Sequence, residues 1–594
     1  MKQLLHRIGS ALLLCAALAC SASAQESASA AQWPIEFDLD SSKVVVYELQ
    51  PESLSGDELS ARAAVSLRRT KQAEPIFGAV WIDARIRTDR DSRTVTLVDA
   101  RVPDVQFPAA TEEERAAIVE LLQTRLPAQH AALSLDDLIA ALDPQGMPEA
   151  SGLRDDAPQI LFAEKPTALV TIDGPPELRA VAESRAGVMR VVNTPFIILF
   201  DPPRKTYYLK AGERWRSAAA IEGPWRDEMI APEHIQSAVP QPGAIRDATP
   251  QPNELVEDVD VIFVTQPTEL IVTRGTPTWT PLPGNDLMYL ANSENDVFLE
   301  TASRTCYILL AGRWYASPGL ESAAWQHVAS DQLPEAFARI PVNSPKGAAR
   351  TFVAGTTEAR AAVLDASIPQ TTAVKRDDGH CSVTYDGAPR FAPIPGTGLR
   401  YAVNTSASVI EYDQRYYCCA DGVWYVADRA TGPWRVATSL PDEIDKIPAS
   451  CPIYPVRYVR IYDTTPEYVY VGYLPGYTGC YVHGPTIVYG TGYWYPGWIG
   501  VTYYPRPWTW GFNAHYDPWY CGWDFGFSFA WGRSPWWFNH SCGWGRPGWW
   551  GPSGLHARNF AIHGSVVTRF APVRARHGDA FVARSWPGRE NIYV

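Results

Sequence analysis

Three features of the sequence predict a mainly β protein with an α+β domain at its N-terminal end. A pattern built on one Tyr and two Trp residues occurs three times in tandem between residues 158 and 450. Each copy carries short apolar runs bounded by turn residues, which are typical of strands. After residue 450 the chain becomes rich in Trp, Tyr, Gly and Pro, and this density of Gly and Pro excludes long helices.

Residues 1–24 have the parts of a signal peptide. Lys2 and Arg7 form a basic start, an apolar segment follows, and Ala22-Ser23-Ala24 is a small-residue cleavage site. The apolar segment is too short to span a bilayer. We therefore expect an exported protein, in the periplasm or on the cell surface of a Gram-negative bacterium, with no transmembrane segment in the mature chain. A lipoprotein attached through Cys20 is the alternative.

Residues 34–150 predict a separate α+β domain. Thr111 and Glu114 form a capping box that starts one helix, and Ser134 with Asp137 starts a second. Strands are expected at 43–49, 61–67, 78–87 and 94–98.

The tandem pattern reads Asn-Thr or Asn-Ser, an apolar run, Tyr, a turn with Gly, Trp, and a second Trp. In all three copies the Tyr precedes the first Trp by seven residues, which indicates a true internal repeat. The nine aromatic residues are Tyr208, Trp215 and Trp225 in the first copy, Tyr307, Trp314 and Trp325 in the second, and Tyr417, Trp424 and Trp434 in the third.

Similar segments precede each aromatic unit and include a Gly-x-Pro or Gly-Pro stretch. With them the full repeat is about 100 residues long, and we place repeat one at 158–240, repeat two at 259–342 and repeat three at 365–450. Within each, the aromatic unit predicts a three-stranded β unit of roughly 45 residues. Residues 240–252 predict a Pro-rich linker, and 356–366 a helix.

The repeated aromatic residues allow two interpretations. They form the small core of each unit, because large aromatic side chains supply the most burial per residue. Alternatively, one or two rings per copy are exposed as a flat platform on which sugar rings stack. Exposure of the repeat Trp residues separates the two interpretations.

The order Tyr-Tyr-x(3)-Gly-x-x-Trp followed by Gly-Pro-Trp, as in residues 207–225, resembles the chitin- and cellulose-binding modules of carbohydrate-binding families V/XII. The resemblance covers about 45 residues in each copy, on the scale of a small β module. That family's Tyr-x-x-Gly-Asp lead-in precedes none of the copies. The layout of the whole chain also resembles a group of exported bacterial proteins that carry this family label. The resemblance implies a polysaccharide as the ligand and the nine repeat aromatics as the residues that bind it.

Residues 451–550 predict short extended segments and turns covered by aromatic rings, with little regular structure. This region is either a weakly ordered or disulfide-tied layer, or an adhesive aromatic surface. We expect part of it to pack on the repeats, because that many exposed rings would promote aggregation. Residues 551–594 are basic, with little apolar content, and predict a disordered tail.

The mature chain keeps an even number of cysteines, which favours disulfides in an oxidising compartment. Cys418 and Cys419 are adjacent, so we expect them to have different partners. The absence of a Cys-x-x-Cys pair argues against a zinc ribbon. The eight cysteines are Cys306, Cys381, Cys418, Cys419, Cys451, Cys480, Cys521 and Cys542.

No catalytic motif for a serine hydrolase, metalloprotease, nucleotide-binding enzyme or dehydrogenase occurs in the sequence. The His residues after position 480 have irregular spacing, so no metal site or cofactor is expected. If a glycosidase carboxylate pair exists, Asp517 and Asp524 are the residues to inspect first. The acidic excess, with a formal net charge of −13, argues against a nucleic-acid partner.

We therefore predict an exported, non-enzymatic, multi-modular protein that binds chitin-like, cellulose-like or envelope polysaccharide through its Tyr/Trp repeats. The alternative is a structural or assembly protein of the cell envelope whose aromatic residues are internal and whose partner is another protein.

Overall fold

Antiparallel β-sheet dominates the computed structural model, which confirms the predicted fold class. The structure describes residues 33–495 and six short strands beyond them. Between 33 and 495 the description is interrupted at 40–41, 70–74, 91–92, 108–109, 130–131, 143–149, 166, 173, 182–186, 195–196, 212–213, 229, 240–259, 274, 294, 378–380, 386 and 406. The predicted signal peptide, the Pro-rich linker, Cys521 and Cys542 therefore lie outside the described residues.

The described residues fall into two units. The first contains those within 1–50, 60–85 and 96–133, and the second contains the remainder.

The N-terminal elements are six strands, a helix, a short strand and a second helix. They are β1 (Ile35–Leu39), β2 (Ser42–Val46), β3 (Gln50–Ser55), β4 (Glu58–Arg69), β5 (Ile76–Asp89), β6 (Thr94–Gln106), α1 (Glu112–Arg125), β7 (Ala132–Ser134) and α2 (Leu135–Ala141). The strands form one sheet in the order β1-β2-β4-β5-β6-β7, with β3 paired to β4.

Both predicted N-terminal helices begin where their capping residues indicate. The Thr111 side chain accepts a hydrogen bond from the Glu114 N–H, and the Glu114 carboxylate accepts one from the Thr111 N–H, which completes the capping box. The Ser134 hydroxyl oxygen accepts from the Asp137 N–H at the start of α2. Each cap satisfies backbone donors that the first helical turn leaves without partners.

Repeat one starts with two lead-in strands and continues as a six-stranded antiparallel sheet. Its elements are β8 (Gln159–Ala163), β9 (Thr167–Thr171), β10 (Leu178–Ala180), β11 (Met189–Val191), β12 (Ile198–Asp201), β13 (Thr206–Ala211), β14 (Arg214–Ala218), β15 (Arg226–Glu228) and the short helix α3 (Glu233–Gln236). Strands β10 to β15 are neighbours in chain order, so the sheet is a meander.

Repeat two has the same series of elements and is followed by the helix predicted at 356–366. They are β16 (Asp260–Val264), β17 (Thr268–Val272), β18 (Trp279–Pro281), β19 (Leu287–Leu290), β20 (Asp296–Glu300), β21 (Thr305–Leu310), β22 (Arg313–Ser317), β23 (Gln326–Val328), α4 (Glu335–Ala338) and α5 (Thr357–Ser367). Strands β18 to β23 form the second six-stranded meander.

Repeat three has one lead-in strand and a third six-stranded meander. Its elements are β24 (Gln370–Lys375), β25 (Phe391–Pro393), β26 (Arg400–Ala402), β27 (Ser408–Tyr412), β28 (Arg415–Ala420), β29 (Val423–Ala427) and β30 (Arg435–Val436). The expected three-stranded unit is therefore only the centre of each sheet. The additional outer strands have two to four residues, and their short, partly polar sequences give no periodic signal.

The aromatic region contains regular structure in its described part. Its strands are β31 (Val459–Thr464), β32 (Tyr468–Tyr473), β33 (Cys480–His483), β34 (Thr486–Tyr489), β35 (Trp498–Ile499), β36 (Thr502–Tyr503), β37 (Phe512–Asp517) and β38 (Gly522–Phe527). The tail at 551–594, predicted to be disordered, contains one short strand pair, β39 (Val573–Arg574) with β40 (Phe581–Val582). Strand β32 lies between β24 and β31 in a three-stranded sheet. Asp517 and Asp524 lie on the paired strands β37 and β38.

The lead-in strands of repeats one and two pair with each other reciprocally and in parallel. Gln159 of β8 is opposite Thr268 of β17, and Thr167 of β9 is opposite Asp260 of β16. The first lead-in strand of each repeat therefore pairs with the second lead-in strand of the other repeat. This is the relationship of a local two-fold axis.

Candidate functional site

The first Trp of each repeat lies in a core on one face of its sheet. Trp314 is 1 % exposed and Trp424 is 0 % exposed, and Trp215 is also buried. The Tyr of each copy packs in the same core, where Tyr208 and Tyr307 are buried and Tyr417 is half-buried. A Pro-acid-x-Ile or Pro-acid-x-Phe sequence follows the second Trp of each copy, at 232–235, 334–337 and 441–444. Its last residue packs in the same core, as Ile235, Phe337 and Ile444.

Repeat two shows how closely this core is packed. The Trp314 ring centroid lies 4.9 Å from that of Phe337 in an edge-on arrangement, and Tyr307 lies 5.0 Å from Phe337 in the same arrangement. The Trp314 Nε1–H donates to the Phe352 carbonyl oxygen at 2.7 Å, and Trp424 donates to Val459 at 3.0 Å. Each indole thus has its polar group satisfied and its faces covered, as buried aromatic side chains require.

The second Trp of each repeat lies on the opposite face of the sheet, against the lead-in strands. Trp225 stacks on Phe263 of β16 with ring centroids 4.7 Å apart and an interplanar angle of 10°. Trp325 is buried with residues of β8, and half-buried Trp434 packs near Val383 and Tyr385. Both faces of each meander are therefore covered.

The Asn that opens each copy holds the preceding Gly-Pro or Gly-x-Pro stretch. Asn404 accepts from the Arg390 N–H at 2.9 Å and donates to the Ala388 carbonyl at 2.8 Å. Equivalent pairs of bonds join Asn193 to Glu177 and Pro175, and Asn292 to Thr278 and Thr276. The sequence carried a signal for this clamp, since Asn follows that stretch at a similar distance in every copy.

The Gly-Pro-Trp order also has a steric cause. Gly223 and Gly432 have φ values of +97° and +88°, which favour glycine. A Cβ atom at Gly432 would lie 2.8 Å from Trp434 Cδ1. The glycine therefore lets the second Trp turn back against the sheet.

The described part of the aromatic region packs on repeat three. Tyr454, Tyr477 and Tyr481 are buried in the same core as Trp424. The Tyr454 and Tyr481 ring centroids lie 5.5 Å apart, and the Arg457 guanidinium lies 5.2 Å from the Tyr454 centroid. These rings continue the core of repeat three.

An ionic cluster around the buried Arg313, which sequence reasoning missed, joins distant parts of the second unit. The Arg313 Nε–H donates to Asp155 Oδ1 at 3.0 Å. Its Nη1 donates to the Tyr489 carbonyl oxygen at 2.9 Å and its Nη2 to that of Gly490 at 3.1 Å. Asp155 Oδ2 lies 3.0 Å from His483 Nε2. Burial opposes ionisation, but the hydrogen bond with His483 and the charge of Arg313 lower the pKa of Asp155 to about 2. No local sequence signal connects residues this far apart.

Within the described ranges, no group of three or more His, Cys, Asp or Glu side chains is arranged to hold a metal ion. Among the described helices, none combines the length and the apolar content needed to cross a membrane. The chain matches no protein-family model, and no curated protein or solved structure matches it significantly.

Proposed function

We propose that this chain is an exported, non-enzymatic structural or assembly protein of the bacterial envelope whose partner is another protein. The burial of Trp215, Trp314 and Trp424 is the observation that supports it most directly. A sugar-stacking platform needs the flat face of a ring open to solvent, whereas these rings are covered by their own repeats.

The half-buried aromatic residues give little support to the polysaccharide alternative. Trp225 has one face stacked on Phe263, and Trp434 packs against a core that contains Val409 and Val471. Tyr417 joins the core of Trp424. Each of these rings is already packed against other side chains of this chain, which leaves less of it open for a sugar.

The architecture suits a scaffold. Three meander sheets of the same design, each covered on two faces, repeat one set of outer surfaces along the chain. Reciprocal pairing of the lead-ins makes repeats one and two a single structural body. In this proposal the partner binds to these outer surfaces rather than to the repeat aromatics.

The first test is retention of the mature protein on insoluble chitin, cellulose and peptidoglycan. We expect no retention above that of an unrelated exported protein. Retention of the Trp225→Ala and Trp434→Ala variants is measured in parallel, because these rings are the most exposed of the repeat Trp residues. Retention that either variant abolishes, while the variant keeps its fold, would support the polysaccharide alternative and contradict our proposal.

The second test is chemical crosslinking of intact cells followed by mass spectrometry. We expect crosslinks from surface lysines of the repeats, such as Lys205 or Lys375, to one envelope protein at a constant ratio. A chain in which both lysines are changed to Arg should lose those crosslinks. If no envelope protein is crosslinked reproducibly, the assembly role is wrong.

A further inference from the structure

Two cysteines of repeat three meet where its lead-in lies against its sheet. The Cys381 Sγ and Cys418 Sγ atoms are 3.3 Å apart, within hydrogen-bond distance for thiols. Cys418 is fully buried in β28, and Cys381 is half-buried in the segment after β24. Both belong to the same apolar cluster, together with Val383 and Tyr385.

Cys418 and the adjacent Cys419 lie on opposite faces of the sheet. Successive side chains of a strand point to opposite faces of the sheet. Cys419 accordingly packs in the core of Trp424, on the other face, whereas Cys418 faces the lead-in. Only Cys418 of this adjacent pair is placed to react with Cys381.

The same segment is held differently in the other repeats. One glycine at the end of each lead-in has nearly the same φ value, +79° at Gly174, +80° at Gly275 and +79° at Gly387. These glycines are therefore equivalent positions, from which the three lead-ins can be aligned. With this alignment Cys381 corresponds to Ala168 on β9 and to Glu269 on β17, both of which are in parallel strand pairs.

In repeat three the corresponding segment 381–385 pairs with no strand among the described residues. Its lead-in strand β24 pairs instead with β32. The segment is nevertheless fixed at its far end, where the Tyr385 hydroxyl donates to the Ala430 carbonyl at 2.9 Å. A covalent bond at Cys381 would fasten the near end.

We propose that Cys381 and Cys418 form a disulfide that replaces, in repeat three, the strand pairing that holds the lead-ins of repeats one and two. The bond closes a loop between residues separated by 37 positions. Closing such a loop restricts the unfolded chain and thereby favours the folded one.

The reaction is thiol–disulfide exchange with a disulfide oxidant, such as oxidised glutathione or a dithiol–disulfide oxidoreductase of the export compartment. Cys381, the more exposed thiol, attacks a sulfur of the oxidant as the thiolate and displaces one thiol. Cys418 then attacks Cys381 Sγ and displaces the second thiol. The two cysteines lose two protons and two electrons, and the disulfide of the oxidant is reduced to two thiols.

The hydrogen bond with Cys381 and the burial of Cys418 raise the pKa of the Cys418 thiol. This agrees with a reaction that begins at Cys381, because the thiolate is the attacking species.

The test is a peptide map of the full mature chain after incubation with oxidised glutathione under native conditions. Trypsin cleavage after Arg376 and Arg390 and after Arg415 and Arg429 releases peptides 377–390 and 416–429. We expect these two peptides to be linked, with a mass two hydrogens below their sum, and to separate on reduction.

Peptide 416–429 contains both adjacent cysteines, so the matched variants are Cys418→Ser and Cys419→Ser. The linked pair should persist in Cys419→Ser and be absent from Cys418→Ser. If a variant does not fold, fragment spectra of the linked wild-type peptides assign the sulfur instead. Cys381 that remains alkylatable after oxidation, or a link through Cys419, would overturn the proposal.

Discussion

The indole of Trp225 in repeat one stacks on the phenyl ring of Phe263, which belongs to the lead-in of repeat two. The two rings lie in the same apolar cluster as Val170 and Leu209. Repeat one therefore completes its second core with a side chain from the next repeat. Phe162 of repeat one packs in the corresponding core of repeat two, beside Trp325, so the exchange is reciprocal.

Replacing Phe263 with Ala should destabilise the sheet of repeat one, although Phe263 lies in repeat two. We expect a loss of about 2 kcal/mol, below the range for fully buried Phe because the ring is half-buried. Hydrogen exchange followed by mass spectrometry should show faster exchange in β12 to β14. Ile230→Ala, at an exposed side chain of repeat one, is the control. Faster hydrogen exchange confined to repeat two would contradict a role of Phe263 in the core of repeat one.

Replacing Asn404 with Ala should remove the clamp on the Gly-x-Pro stretch of repeat three. The change leaves the Arg390 N–H and the Ala388 carbonyl without these bonds, at a cost of about 2 to 4 kcal/mol in the free energy of unfolding. The equivalent Asn292→Ala should cost about 1 kcal/mol, because Asn292 is less buried and water replaces the lost bonds. Urea unfolding measures both, and equal losses would argue against the role of burial.

The pKa of Asp155 predicts a loss of stability in acid. Its folded pKa, about 2, is below the ordinary value of 3.8. A depressed carboxyl pKa contributes stability that is present above pH 4 and is lost as the pH falls toward 2, here about 2 kcal/mol. Asp155→Asn should therefore be less stable than wild type at pH 5, with the difference shrinking between pH 4 and pH 2.

The neighbouring Asp156 provides the control for this measurement, since its side chain is mostly exposed. The Asp156→Asn variant should follow the wild-type urea midpoints across the same pH range. A constant difference between wild type and Asp155→Asn from pH 5 to pH 2 would mean that His483 and Arg313 do not lower the pKa of Asp155.

Ala substitutions at two glycines of repeat three allow the cost of backbone strain to be distinguished from the cost of steric overlap. Gly432 and Gly396 have φ values of +88° and +77°, so Ala is strained at either position, by about 1 kcal/mol. At Gly432 the new Cβ also meets Trp434, whereas at Gly396 no atom lies within 4 Å. Gly432→Ala should thus lower the thermal midpoint more than Gly396→Ala. Equal midpoints would show that Trp434 moves aside at no cost.

Local sequence signals were sufficient for much of the secondary structure. The capping residues Thr111 and Ser134 placed the N-terminal helices, because a cap depends on residues only three positions apart. The fixed Tyr-to-Trp spacing located the repeats, because it places the Tyr and the first Trp on the two paired strands of one hairpin, as on β13 and β14. The outer strands of each meander were missed, because two- to four-residue strands carry no periodicity.

Residue spacing in the sequence could not show whether the aromatic residues of the candidate site are buried or exposed. Sequence selected the nine repeat aromatics but left open whether they fill a core or face solvent, because a Trp suits both.

By itself, the sequence determined that one β unit occurs three times and that Tyr and Trp are its constant residues, since these follow from local spacing. Only the tertiary structure decided that the first Trp of each unit is internal, that Phe263 covers Trp225, and that Asp155 meets Arg313 and His483. These contacts join residues that are far apart in the chain. Their free energy depends on which surfaces come together and are removed from water when the chain folds.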